Sequence, residues 1–216
     1  MFHRAFLCLL FSFFTSFLTN GQSFDWVKHI GATQSQSARS IDVDEMGNVY
    51  TLGQFMGTVD FDPGLFDMNF TSFGSSDIFI QKLDTNGNLL WAKQIGGYGE
   101  DFGYSITIDT YGNIYATGYF NGMVDFNPNS GVFNLSSNGG DDAFVLKLDG
   151  LGNFIWAKSF GGLGYDRGHT VSIDSFGNVY STGIFEDTID IDPGMGVSNF
   201  VSNGEEDIFI QKLDAM

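Results

Sequence analysis

The chain has 216 residues, 43% of them hydrophobic, with 29 Gly and 3 Pro, which is enough to build a core and excludes a disordered polar chain. Asp and Glu number 26 against 9 Lys and Arg, and the formal net charge of -17 repels phosphate backbones and anionic lipid, which excludes nucleic acid and membrane surfaces as partners. Glycine at about twice its ordinary share, with 16% aromatics, points to tight turns between aromatic-rich strands and so to an all-β chain.

Residues 1–21 read as a signal peptide. His3 and Arg4 give a short positive start, Ala5 to Leu18 form an apolar run broken only by Ser12, Thr15 and Ser16, and Thr19 and Gly21 are the small residues ahead of a cleavage that leaves Gln22 first. That run falls short of the roughly 20 residues that span a bilayer as a helix, and no later run is longer, so a secreted or extracytoplasmic protein without membrane insertion is expected. Cys8, the only cysteine, would leave with the leader, and no disulfide is expected in the exported chain.

Trp26, Trp91 and Trp156 are spaced by 65 residues, and other landmarks keep the interval. GNVY at Gly47 recurs as GNIY at Gly112 and GNVY at Gly177; VDFDPG at Val59 as VDFNPN at Val124 and IDIDPG at Ile189; DIFIQKLD at Asp77 as DAFVLKLD at Asp142 and DIFIQKLD at Asp207. Three tandem repeats are predicted, at approximately 22–86, 87–151 and 152–216. In the middle copy the spacing predicts four strands, Ser105 to Asp109, Ile114 to Phe120, Ala143 to Asp149 and Phe154 to Phe160. The pattern Asp-x-x-Gly-Asn, starting at Asp44, Asp84, Asp109, Asp149 and Asp174, with a stub at Asp214, marks the hairpin turns: Asp accepts turn amides and Gly takes positive φ. Four antiparallel strands in sequence make the blade of a β-propeller.

The runs SIDVDEMGNVYTLGQF, TIDTYGNIYATGYF and SIDSFGNVYSTGIF, each followed by DIFIQKLD or DAFVLKLD and, in the first two copies, by a WAK strand, resemble the bacterial SBBP (seven-bladed beta-propeller) repeats and, more distantly, NHL repeats. The resemblance implies propeller blades and says little of activity. The chain departs from the pattern by an insert of about twenty residues between the second and third strands and by having three copies, where propellers use about four to eight. Phe24 to Ile30 is an extra Trp strand with no partner, and the third repeat stops after its third strand. Three readings of closure stand: blades of a longer propeller, two chains pairing head to tail into a six-bladed homodimer, or a compact three-blade body.

Up-and-down blades place the one-to-two and three-to-four turns on one face, and the inserts and inter-blade links on the other. The second face is therefore expected to gather Asp60, Asp62, Asp125, Asp190 and Asp192 from the inserts, Asp77, Asp142 and Asp207 at their ends, and Asp101 and Asp166 from the links. This acidic face is the candidate ligand-binding surface; a solvated surface that keeps the protein soluble is the plain alternative. The links GGYGED and GGLGYD match the start of the calcium-binding GGxGxD nonapeptide, which places a candidate calcium near Asp101 and Asp166. Trp26, Trp91, Trp156, Gly47, Gly112 and Gly177 read as structural, and Lys82, Lys147 and Lys212 as cross-strand partners of acids. His29 and His169 occupy different repeat positions, with no HExxH, GxSxG or cysteine nucleophile, and His169 reads as a strand-edge surface residue. The expected function is a non-catalytic binding or scaffold module for an extracellular protein or glycan; the alternatives are a secreted propeller-fold hydrolase or lyase, or a structural fragment of a longer propeller.

Overall fold

The computed structural model describes residues 21–215. The expected leader, with Cys8, lies outside the described residues except for Gly21. The described residues form thirteen strands and no helix. Blade 1 is built from β1 (Gln36–Val43), β2 (Val49–Phe55), β5 (Asp77–Leu83) and β6 (Leu89–Gly97), paired antiparallel in that order. Its insert adds a small ladder, β3 (Thr58–Asp60) with β4 (Asn69–Thr71). Blade 2 repeats the plan with β7 (Phe102–Ile108), β8 (Ile114–Asp125), β9 (Asn134–Leu148) and β10 (Phe154–Gly162), and blade 3 with β11 (Arg167–Ile173), β12 (Val179–Asp190) and β13 (Asn199–Leu213). The blades are thus displaced by one strand from the 22–86 sequence frame, since each Trp strand closes the blade before it. Phe24 to Ile30, expected as an unpaired strand, forms none.

The hairpins follow from the Asp-x-x-Gly-Asn turns. Asp44 Oδ1 accepts the amides of Met46 and Asn48 at 3.0 and 2.9 Å, Oδ2 takes Asn48 Nδ2 at 2.8 Å, and Gly47 stands at φ 80°. The same set recurs at Asp84, Asp109, Asp149 and Asp174, so five turns are closed by one local device. Behind the turns Tyr50, Tyr115 and Tyr180 donate to Asp44, Asp109 and Asp174, and Lys82, Lys147 and Lys212 stand 4.7–5.2 Å from the tyrosine ring centroids. These lysines thus face tyrosines across the ladder; among them Lys82 also pairs with Asp44, at 3.6 Å.

The core lies between blades and, as a third cluster of Phe55, Val59, Phe61, Phe79 and Ala92, on the leading side of blade 1. Tyr50, Leu52, Ile78 and Ile80 of blade 1 pack on Ile106, Phe120, Phe144 and Leu146 of blade 2, and Tyr115, Ala143 and Val145 of blade 2 on Val171, Phe185 and Ile189 of blade 3. Trp91 and Trp156 join these layers, set edge-on to Tyr50 and Tyr115. At the outer end, Gly96 and Gly97 pair with Asp125 and Val124, and Gly161 and Gly162 with Asp190 and Ile189, which joins eleven strands into one sheet.

The inserts are anchored at their bases and exposed at their tips: Phe126 and Ile191 join the two inter-blade cores and Gln211 Nε2 donates to Ile191 O at 2.6 Å, while Leu65, Phe66 and Met195 stay exposed. A free loop would leave the Phe126 and Ile191 side chains in water, at a cost of about 2 kcal/mol each.

One backbone position is strained. Asp187 holds φ 55°, where the corresponding residues of the first two repeats are Gly57 and Gly122, at 68° and 78°. Asp187→Gly is expected to raise stability by about 0.5–1 kcal/mol, read as the urea midpoint; an unchanged or lower midpoint would contradict a steric cost there.

Candidate functional site

Each link between blades is a clasp built on its aspartate. Asp101 Oδ2 accepts the Gly97 amide at 2.7 Å and Oδ1 the Asn121 amide at 3.3 Å, while its own amide donates to Ser76 O at 3.0 Å. One residue therefore ties the outer strand of blade 1, the end of its insert and the second strand of blade 2. Asp166 repeats part of this: Oδ2 accepts the Gly162 amide at 2.6 Å and its own amide donates to Asp141 O at 2.7 Å, while its Oδ1 has no hydrogen-bond partner; both aspartates are fully buried. The glycines of GGxGxD serve the same contact. A Cβ on Gly96 would fall 2.3 Å from Asp77 Cγ, one on Gly161 2.4 Å from Asp142 Cγ, and one on Gly99 2.2 Å from Asn121 O.

This geometry sorts the predicted acids. Asp77, Asp142, Asp101 and Asp166 are buried and cannot meet a ligand, contrary to their expected place on an open acidic face. Asp77 accepts Gln94 Nε2 at 2.6 Å, and Asp142 the Asn138 amide at 3.1 Å. Burial, against hydrogen bonds from backbone amides, pushes Asp101 and Asp142 up to about 7 and Asp166 to about 6; burial also raises Asp77. At the calcium expected near Asp101 and Asp166, both oxygens of Asp101 and Oδ2 of Asp166 serve backbone amides, and among the described residues no three His, Cys, Asp or Glu side chains group as metal ligands do.

The remaining acids, Asp60, Asp62, Asp125, Asp190, Asp192 and Asp207, are half-buried. Asp60, Asp125 and Asp190 staple the inserts. Asp125 Oδ1, for instance, accepts the amides of Asn127 and Phe133 at 3.0 and 2.8 Å. Asp207 accepts the Asn203 amide at 3.0 Å. Where a stapled insert meets the outer strand of the preceding blade it leaves a groove. The first, about 460 Å³, is lined by Met68, Phe70, Lys93, Gln94, Asn127 and Asn129. The second, about 450 Å³, is lined by Trp156, Lys158, Asp192, Pro193 and Lys212. Lys93 and Lys158 correspond by the 65-residue interval, and Lys93 Nζ donates to Asn129 Oδ1 at 2.8 Å. Both grooves are of small-ligand size, with a cation, amide or carboxylate oxygens, and apolar walls.

A further cluster escaped the sequence. Each inner strand carries a bulge, and the bulged residues are Arg39, Tyr104 and His169. His169 stands edge-on to Tyr104 at 5.4 Å, Arg39 lies 5.9 Å from the Tyr104 ring, and Arg167 lies 4.8 Å from the Tyr119 ring while pairing with Asp141 at 2.7 Å. His169 is thus part of an aromatic and cationic row along the inner strands. The three share one repeat position, a signal available in the spacing but concealed by their different side chains.

Comparison with known proteins agrees with the repeat plan. The SBBP family, a beta-propeller repeat, matches residues 90–122 and 155–183, in each case an outer strand, its link and the first two strands of the next blade. A 120-residue stretch, 49% of the chain, is 28% identical to the uncharacterized WD repeat-containing protein L264 of Acanthamoeba polyphaga mimivirus. Another, of 138 residues and 63% of the chain, is 28% identical to the regulatory protein FlaEY of Caulobacter vibrioides. The chain spans only 9% and 14% of the length of these curated relatives.

The link carboxylates fix a pH dependence. Raised acids favour the folded state fully below their unfolded value of 3.8, and the advantage is lost as pH rises through 6 to 7. The turn acids act oppositely. Asp174, held down to about 2 by the Asn178 side chain, and Asp84, lowered by the Asn88 amide, lose their contribution as pH falls below 3.8. The thermal midpoint is expected to fall between about pH 5 and 8, with a smaller slope in Asp101→Asn; a midpoint flat across that range would contradict the burial of these acids.

Proposed function

Starting from a chain that carries SBBP beta-propeller repeats, we propose that it is a secreted, non-catalytic binding module whose insert-lined flank engages an extracellular protein or glycan. The observation that carries this reading is the groove that recurs at both blade junctions, with Lys93 and Lys158 at equivalent positions. A lysine ammonium donates three hydrogen bonds, and the neighbouring Asn127, Asn129 and Asp192 accept, which suits hydroxyl- or amide-bearing partners. Recurrence of the lysine and the insert tip at two grooves along one scaffold favours an extended partner over a single small molecule. The non-catalytic part of the proposal rests on the acids themselves: those that recur are held by backbone amides, as at Asp60, Asp125 and Asp190. Residues 1–21 support export.

Expressed with its own N-terminus in a bacterial host, the chain is expected outside the cytoplasm, beginning at Gln22 by N-terminal sequencing; an unprocessed chain retained in the cytoplasm would overturn export. On arrayed glycans and extracellular proteins, saturable binding is expected to weaken about tenfold in the Lys93→Ala, Lys158→Ala double variant. Binding indifferent to that variant would overturn the groove, and release of product from a bound glycan would overturn the non-catalytic reading.

A further inference from the structure

The two ends of the blade array are the unmatched halves of an interface that the chain itself makes twice. On blade 3, Ile208 and Ile210 are 78% and 84% exposed, where their counterparts Ile78, Ile80, Ala143 and Val145 are at most 1% exposed against the next blade. On blade 1, Ile41 is 66% exposed, where Ile106 and Val171 are 5% and 4% exposed against the preceding blade. Among the described residues nothing pairs with the outer edge of β13, while blades 1 and 2 carry β6 and β10 there.

The missing strand has a counterpart at the other end. Residues 24–30, FDWVKHI, correspond to LLWAKQI of β6 and FIWAKSF of β10. They pair with no strand, yet they lie where an outer strand lies. Trp26 Nε1 donates to Thr85 O at 3.0 Å, and a Cβ on Gly87 would fall 2.5 Å from Lys28 Cε and 3.2 Å from Trp26 Cδ2. At the next junction a Cβ on Gly152 would fall 2.7 Å from Lys93 Cε and 3.5 Å from Trp91 Cδ2. Ile30 packs on the blade 1 core as Ile95 does on the next. The segment is thus seated as the outer strand of a blade, with no strand paired beside it among the described residues.

We propose that a second copy of this chain supplies the pairing strand: β13 of one copy accepts residues 24–30 of the other, and its Ile208 and Ile210 face docks over Ile41 and the segment. The register follows from β9 with β10, where Trp156 faces Lys147 and Phe160 faces Ala143; it sets Trp26 opposite Lys212 and Ile30 opposite Ile208. The contact is heterologous, and two such junctions related by a two-fold axis close a six-bladed ring without a free sheet edge. The second copy is favoured because its β13 face carries the counterparts of the residues that β5 and β9 already bury against the next blade, while the chain's own β13 lies two blades away from its segment. The proposal is independent of the binding reading above.

Light scattering during size exclusion tests it. The purified chain is expected at twice the monomer mass, and Ile210→Asp, at a position too exposed to disturb the monomer, is expected to weaken the dimer on the order of 100-fold. Met195→Asp, on an equally exposed insert tip, should leave the mass unchanged, and near-ultraviolet circular dichroism should show both variants folded. A wild-type monomer at all concentrations, or a dimer indifferent to Ile210→Asp, would overturn second-copy docking. Open-ended multimers would overturn the closed pair.

Discussion

Asp101 and Asp166 hold the blades together at the place where the chain leaves the outer strand of one blade for the inner strand of the next. Asp101 puts both carboxylate oxygens on amides from two blades, Asp166 puts Oδ2 on the Gly162 amide while its Oδ1 has no hydrogen-bond partner, and both are sealed from water. Burying a carboxylate is costly unless its hydrogen bonds are complete, so the site tolerates little opening. In the first link Gln36 stands at the corresponding position, and its Oε1 accepts the Ala32 amide at 3.2 Å. A neutral acceptor performs part of the same task. What the clasp requires is an acceptor in a fixed place, and charge is secondary, which accounts for acids whose protonation is favoured by burial.

From this joint the rest of the architecture follows. Fixing the outer strand to the next blade's second strand sets how neighbouring sheets meet, and the insert joins the core between them through buried Phe126 and half-buried Ile191. Because each insert is stapled by its own aspartate, a lysine of the outer strand and the insert tip line a groove at both junctions, which extends to the preceding insert at the first and to β13 at the second. Among the described residues no blade covers the trailing face of blade 3 or Ile41 on the leading face of blade 1, whose Phe55 and Phe79 are covered by the first insert and Ile30.

How much could be read from the sequence depended on whether its meaning was local. The Asp-x-x-Gly-Asn turns were legible because donor, acceptor and positive φ all lie within five residues, and the 65-residue interval with four short apolar runs was enough for blades. GGYGED was not legible in this way. The same letters suit a calcium turn, and only the carbonyl of Asn121 and the carboxylate of Asp77, brought close by other strands, explain why glycines stand at 96 and 99. The acidic face was overestimated for the same reason. A carboxylate's count in a string does not tell whether the fold covers it, by a neighbouring amide as at Asp142 or by amides of two blades as at Asp101. The Arg39, Tyr104 and His169 row was hidden by a bulge that no local residue pattern announces.

Hydrogen exchange at single amides tests the central role of the clasp most directly. The Gly97, Asn121 and Gly162 amides, held by Asp101 and Asp166, should exchange only through global unfolding, at the same rate as the slowest amides of β8. Fast exchange at these three positions, with β8 still protected, would mean that blades part at the links while remaining folded, and would contradict the clasp as the joint on which the array depends.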